Sequence, residues 1–296
     1  MGNSRTAAVA CCAGSRRTVV LKTGAAANCG SRRLKLVSLY FKYLSIHFKS
    51  QLQYRTSFWL LTFGQFFIPF TVFAGLYFMF KQFGQLRGWT FFEVALCFAV
   101  VGMAFSLAEC FSRGFDMFSS LVGGGDFDRL LVRPRSTALQ VLGSKFEFTR
   151  FGRLFQSSIV LGWALLNLPV VWTVPKVITL VLMIVCGVLI FTGIFMLAAT
   201  LCFWTIQGLE VANILTDGGR EMAKYPLNIY EKWVTLFFTF IIPFGCVSYL
   251  PLMYLLDKTQ GGGVWYMLMP LAGVLFILPC LLVWNFGVRH YRSTGS

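Results

Sequence analysis

The sequence predicts an all-α integral membrane protein with six transmembrane helices, and two observations carry that reading. Hydrophobic residues make up 57 % of the 296 and charged residues 12 %, against a charged share of about 25 % in soluble domains. A chain this poor in charge cannot cover itself with a water-facing surface. The apolar residues also fall in continuous runs, long enough for the roughly 20-residue helix that crosses about 30 Å of hydrocarbon. A β-barrel would instead show alternating strands of roughly ten residues. The runs are 57–80, 90–111, 154–173, 176–203, 234–256 and 264–288.

Charge orients the six helices. With the N-terminus inside, the region before the first span carries ten Lys and Arg, loop 112–153 seven, loop 204–233 three and the end of the chain two. Only Lys81, Arg87, Lys176 and Lys258 fall outside. Basic residues concentrate on cytoplasmic loops, so both termini are expected in the cytoplasm. The net charge of +15 is thereby read as a topology signal and as contact with lipid headgroups, and no nucleic-acid partner is expected.

Taken in order, residues 1–33 are rich in Ala, Ser, Gly and Arg, contain no acid and read as a disordered basic arm. The start MGNSRT fits a myristoylation pattern, with Cys11 and Cys12 as second-anchor sites, and the composition is also that of a transit peptide. Residues 34–56 read as an interfacial elbow helix. Leu36, Leu39, Tyr40, Tyr43, Leu44 and Phe48 recur at helical spacing among Lys35, Lys42, Lys49 and Arg55, the pattern of a helix lying in the membrane plane; His47 falls on its wet face. The six-span body is 57–290, with a tail at 291–296. Pro69 in the first span, and Pro243 and Pro251 in and after the fifth, are expected kinks, because proline removes a helical hydrogen bond. The nine cysteines follow no disulfide or metal spacing, and no cofactor or metal site is expected.

Several chemistries are missing. No G-x-x-x-x-G-K-[ST] is present to cradle ATP phosphates, no G-x-S-x-G and no H-E-x-x-H. The spans read as free of deep ionisable residues, with Glu93 and Glu109 near opposite ends of the second, which argues against an ion-driven carrier. Asp126 and Asp128 make a thin metal pair, with arginines beside them. The chain reads as a pathway without its own energy source. An integral-membrane enzyme acting on lipid and a secondary carrier stand as the alternatives.

The stretch GGGDFDRLLVRPRS, 123–136, is the densest polar cluster. Gly123, Gly124 and Gly125 permit a sharp turn and Pro134 stops a helix. Between them Phe127, Leu130 and Leu131 form a small apolar face ringed by Asp126, Asp128, Arg129 and Arg133. An apolar anchor with a charged rim suits a protein contact.

Within it, GDFDRLLVRP (125–134) resembles the cytoplasmic loop of ABC-2 type transporter permeases. LCFWTIQGLEVANIL (201–215), YPLNIY (225–230) and IIPFGCVSYLP (241–251) extend the resemblance over residues 35 to 290. It implies the ABC-2 fold: an elbow helix, six spans and a coupling segment between spans two and three. It further implies the membrane subunit of an ATP-driven exporter in a bacterial plasma (inner) membrane, not itself an enzyme. Two copies of a separate ABC ATPase and a second permease chain, identical or homologous, are the implied partners. Asp126, Phe127, Asp128, Arg129, Leu130, Leu131, Arg133 and Pro134 are the implied ATPase contact.

Overall fold

A computed structural model describes residues 40–205, 214–258 and 263–291. The chain divides into two units between Lys42 and Tyr43; of the first, only residues 40–42 are described, as helix. The expected arm 1–33, the first part of the elbow helix and the tail beyond Tyr291 lie outside the described residues.

The second unit opens with helix α1, residues 43–51. Tyr43, Leu44, His47 and Gln51 share its half-buried face. His47, expected on the wet face, packs its ring 5.4 Å from that of Phe146. Gln51 fixes the helix by donating to the Phe146 carbonyl at 2.6 Å and accepting from the Phe148 N–H at 3.1 Å.

The body is built on α2 (Arg55–Phe83), α3 (Phe91–Phe111), α8 (Phe151–Asn167), α9 (Val174–Leu201) and α14 (Ala272–His290). Short helices α4 (Arg113–Asp116), α5 (Phe118–Gly123), α6 (Asp126–Leu131) and α7 (Thr137–Leu142) fill the connection from α3 to α8. Helix α3 is apolar all round and is the buried centre, flanked by α8 and α9, with α2 on α8 and α14 on α9. A helix without a polar face has no side to give to water. Its start is fixed by a capping box in which the Thr90 N–H donates to Glu93 at 2.9 Å, satisfying donors the helix leaves open. Two glycines allow close approaches between the long helices. A Cβ at Gly273 would meet the Cys186 carbonyl oxygen at 2.6 Å, and one at Gly152 would run into the Thr62 carbonyl. Small residues are what allow membrane helices to pack backbone to backbone.

Among the described residues four helical stretches are long and apolar enough to cross a membrane: Tyr40–Phe83, Phe91–Phe111, Val174–Leu201 and Trp265–His290. Helix α8, in the expected third span, has 17 residues, about 26 Å at 1.5 Å per residue. It runs from Arg153 beside Glu109 to Trp163 among Phe91 and Phe92, and so passes along the length of α3.

The expected fifth span and second cytoplasmic loop both need correction. The described residues 214–233 lie against the bundle and not beyond its end. The described part runs alongside α3 from one end to the other. It starts as a wide helical turn, Ile214–Gly218, and continues as α10 (Gly219–Ala223). Thr216 and Asp217 face Glu109 near the Phe111 end of α3. The Cys97 thiol reaches the Ala223 carbonyl at 3.3 Å. Asn228 accepts from the Trp89 indole at 2.9 Å, at the Thr90 end.

The apolar stretch 234–256, expected to span as one helix, is broken into two arms. Lys232–Ile241, which begins with α11 (Lys232–Leu236), and Gly245–Leu255, which ends with α12 (Leu250–Leu255), are bent by 88° at the break. The stretch begins just after Asn228. It ends at Asp257, which pairs with Lys176 at 2.6 Å, and Lys258, which pairs with Glu93 at 2.7 Å. All of these lie at the Thr90 end. Its tip turns at Phe244, whose ring is 5.1 Å from that of Phe191 midway along α9. Pro243 sits in the break, Pro251 in the first turn of α12, and Pro69 inside a continuous α2. Helix α13 (Gly263–Leu268) and α14 then return the chain to the Phe111 end.

Candidate functional site

The segment singled out by sequence lies at the Phe111 end. Gly125 alone of its three glycines takes a left-handed conformation, φ 71°, and it starts α6. Asp126 and Asp128 occupy the first turn of α6, where carboxylates meet the positive end of the helix, and Arg129 pairs with Asp126 at 3.2 Å. Phe127 does not face outward as expected. It is fully buried, with ring centroids of Phe118 and Tyr291 each at 5.0 Å and of Phe203 at 5.5 Å. Two turns of helix can present only part of their apolar face to a partner, and the phenylalanine is the part that the ends of α9 and α14 cover. Leu130 is half-buried against the same core. Leu131 and Val132 are exposed, Val132 at 86 %. Arg129, Arg133, Pro134 and Arg135 are exposed around them. Asp126 and Asp128 have no third ligand: among the described residues no group of three His, Cys, Asp or Glu is placed to hold a metal ion.

This connection is fastened to the helices by an ion network. Glu109, near the end of α3, takes Arg153 at 2.8 Å and Arg113 and Arg150 at 3.7 Å. Glu147 takes Arg113 at 2.8 Å and Arg150 at 3.2 Å. Arg150 also donates to Gln65 of α2 at 3.0 Å. Arg113 pairs with Asp116. Burial pushes the Asp116 carboxyl above the usual carboxylate range, while Arg113 pulls it down. Buried charges persist where partners surround them. These side chains tie α4 and the start of α8 to α2 and α3.

Ionisable groups from outside the expected spans also lie deep among the helices. Arg220 lies 4.5 Å over the Phe105 ring, about 9 Å in from the Phe111 end at 1.5 Å per residue. Lys224 lies 5.0 Å over the Phe98 ring, about 10 Å in from the Thr90 end by the same rise. Glu221 joins them, 2.8 Å from Arg220 and 2.7 Å from Lys224. Two adjoining cavities result. One, about 480 Å³, is lined by Glu109, Arg113, Asp116, Arg150, Asp217 and Arg220, among others. The other, about 90 Å³, continues from it past Arg153 and Arg220 to Gln156 and Lys224. A signal for this cluster was present in TDGGREMAK: Asp217, Arg220, Glu221 and Lys224 repeat at three- and four-residue spacing on one helical face.

Long apolar helices around a central buried one, with a charged cluster inside and the largest connection at one end, define a multi-pass integral membrane protein of the transporter kind. The chain belongs to the ABC-2 family: the family model described as ABC-2 family transporter protein matches residues 66–295. It is a membrane permease of an ABC transporter, the class of subunit that works with an ABC ATPase and another permease chain and is not itself the catalyst. No curated protein and no solved structure matches the chain.

Proposed function

We propose that this chain is the permease subunit of an ATP-driven exporter in a bacterial plasma membrane, and that segment 123–136 docks on the ATPase. Six crossings are assigned to α2, α3, α8, α9, the segment that includes 214–230, and the α13–α14 stretch. Residues 232–256 form a re-entrant hairpin. The Phe111 end, with α1 as the elbow and both termini, faces the cytoplasm. Two ATPase copies sit beneath, and a second permease chain stands alongside. The export direction rests on the resemblance of the loop motifs.

The observation that carries the docking assignment is the exposed step Leu131–Val132 within a rim of Arg129, Arg133 and Arg135. An apolar centre inside a charged rim supplies affinity from the centre and steering from the rim. Because Leu130 and Phe127 support the fold, the discriminating variants are Leu131→Asp and Val132→Asp. Each is expected to insert normally and to lose co-purification of the ATPase, since burying an unpaired carboxylate costs roughly 2 kcal/mol or more. Arg133→Ala is expected to weaken it mildly and more visibly at low salt. Retained ATPase by both aspartate variants, at matched expression, overturns the assignment.

A further inference from the structure

We infer that the cavity between α2, α3, α8 and α10 is a binding site for an oxyanion carried by an amphiphile, the phosphate of a lipid headgroup being the simplest example. The inference rests on the permease reading above and names the class of molecule that the permease would hold.

Three features of the cavity select the ligand. The first is sign: among the described residues its lining carries three cations, Arg153, Arg220 and Lys224, against one carboxylate, Glu221. Glu221 receives hydrogen bonds from Arg220 at 3.0 Å and from Lys224 at 2.7 Å, which holds the two cations side by side. The second is hydrogen-bonding character. The Gln156 amide nitrogen and the Arg153 Nε are buried and find no acceptor among the described residues, and Gln156 is 1 % exposed. Both are donors. A buried donor without an acceptor costs stability that a ligand supplying one recovers. A cationic ligand would leave both donors unmet; an oxyanion answers both. The third is the rest of the wall, where beside Gly102, Ser106 and Ser157 the side chains of Ile68, Pro69, Val72, Phe98 and Phe105 are apolar. An acyl chain fits beside such a surface, and a free hydrated anion gains nothing from it. The wider cavity at Arg113, Arg150 and Arg220 adjoins on the cytoplasmic side, so charged groups extend from that end of the bundle to the site.

The test uses the purified full-length chain in a sugar-headed detergent. Native mass spectrometry and thermal stabilisation report binding of short-chain phosphatidylglycerol, short-chain phosphatidylcholine and inorganic phosphate. Phosphatidylglycerol is expected to bind at least about tenfold tighter than phosphatidylcholine, a preference visible as a concentration-dependent rise in melting temperature. Gln156→Leu and Lys224→Gln should each reduce that preference severalfold, while Lys224→Arg, which keeps the charge, and Arg129→Gln, on the exposed rim, should keep it. Competition by inorganic phosphate would assign recognition to the oxyanion alone, and its failure at about 100-fold excess would assign it to the lipid-borne group; either upholds the site. Equal affinity for the two lipids overturns it, as does an undiminished preference in folded Lys224→Gln and Gln156→Leu. ATPase co-purification is scored separately. In the unsubstituted chain, no lipid preference with the ATPase still bound sinks the site and leaves the subunit assignment standing, and the converse sinks the docking and leaves the site.

Discussion

At the scale of residues, Phe127 shows how one side chain changes the meaning of a motif. In the sequence it stands between glycines and a proline, beside two aspartates, and reads as part of a loop surface. In the fold its ring lies among Phe118, Phe203, Trp284 and Tyr291. Three of these four come from the far ends of α9 and α14, more than 70 positions away. No local pattern announces such a contact, whereas the turn at Gly125 and the stop near Pro134 are local and were legible. Phe127→Ala is therefore expected to cost about 3–5 kcal/mol of stability, as for other large aromatics cut back in a packed core. Its ATPase binding, normalised to folded protein, should be unchanged. Thermal unfolding in detergent alongside a normalised pull-down separates the two effects. A normal melting temperature with lost binding would restore Phe127 to the docking surface.

At the scale of elements, hydropathy served well for helices and poorly for depth. Helices α2, α3 and α9 and the α13–α14 stretch are long, apolar and continuous, so their runs located them. A hairpin packed inside the bundle is as apolar as a span. Residues 234–256 therefore looked like a crossing, although Pro243 marked the place where the chain turns. The segment 214–230 failed the same criterion for the opposite reason. Its Asp217, Arg220, Glu221 and Lys224 pair with one another and with aromatic faces, so their charge need not meet lipid, but their effect on mean hydropathy is the same. The hairpin makes a direct prediction. Glu231 and Asp257 are both exposed, and single cysteines placed there in a cysteine-free background should react with an impermeant thiol reagent from the same, outer side. Labelling from opposite sides would make 232–256 a true span.

At the scale of the whole molecule, the two changes that the proposed topology makes to the expected one compensate. Exchanging one crossing for another leaves an even number, so both chain ends still share a face. If the hairpin and the 214–230 segment both crossed, or if neither did, the ends would lie on opposite faces. The charge asymmetry agrees with the even count. In the proposed topology Arg220 and Lys224 leave the inner loops for the interior and Lys232 falls at the Thr90 end, yet Lys49, Arg55 and the seven basic residues of 112–153 stay on the inner side. That excess is what holds a multi-pass chain in one orientation. Reporter fusions placed before Met1 and after Ser296 should therefore both report the cytoplasm, on the face where the Leu131–Val132 step is proposed to meet the ATPase. A fusion at Gly262, between the hairpin and α13, should report the outside. Termini on opposite faces would overturn the exchange itself, because a single replaced crossing cannot alter the parity of the count.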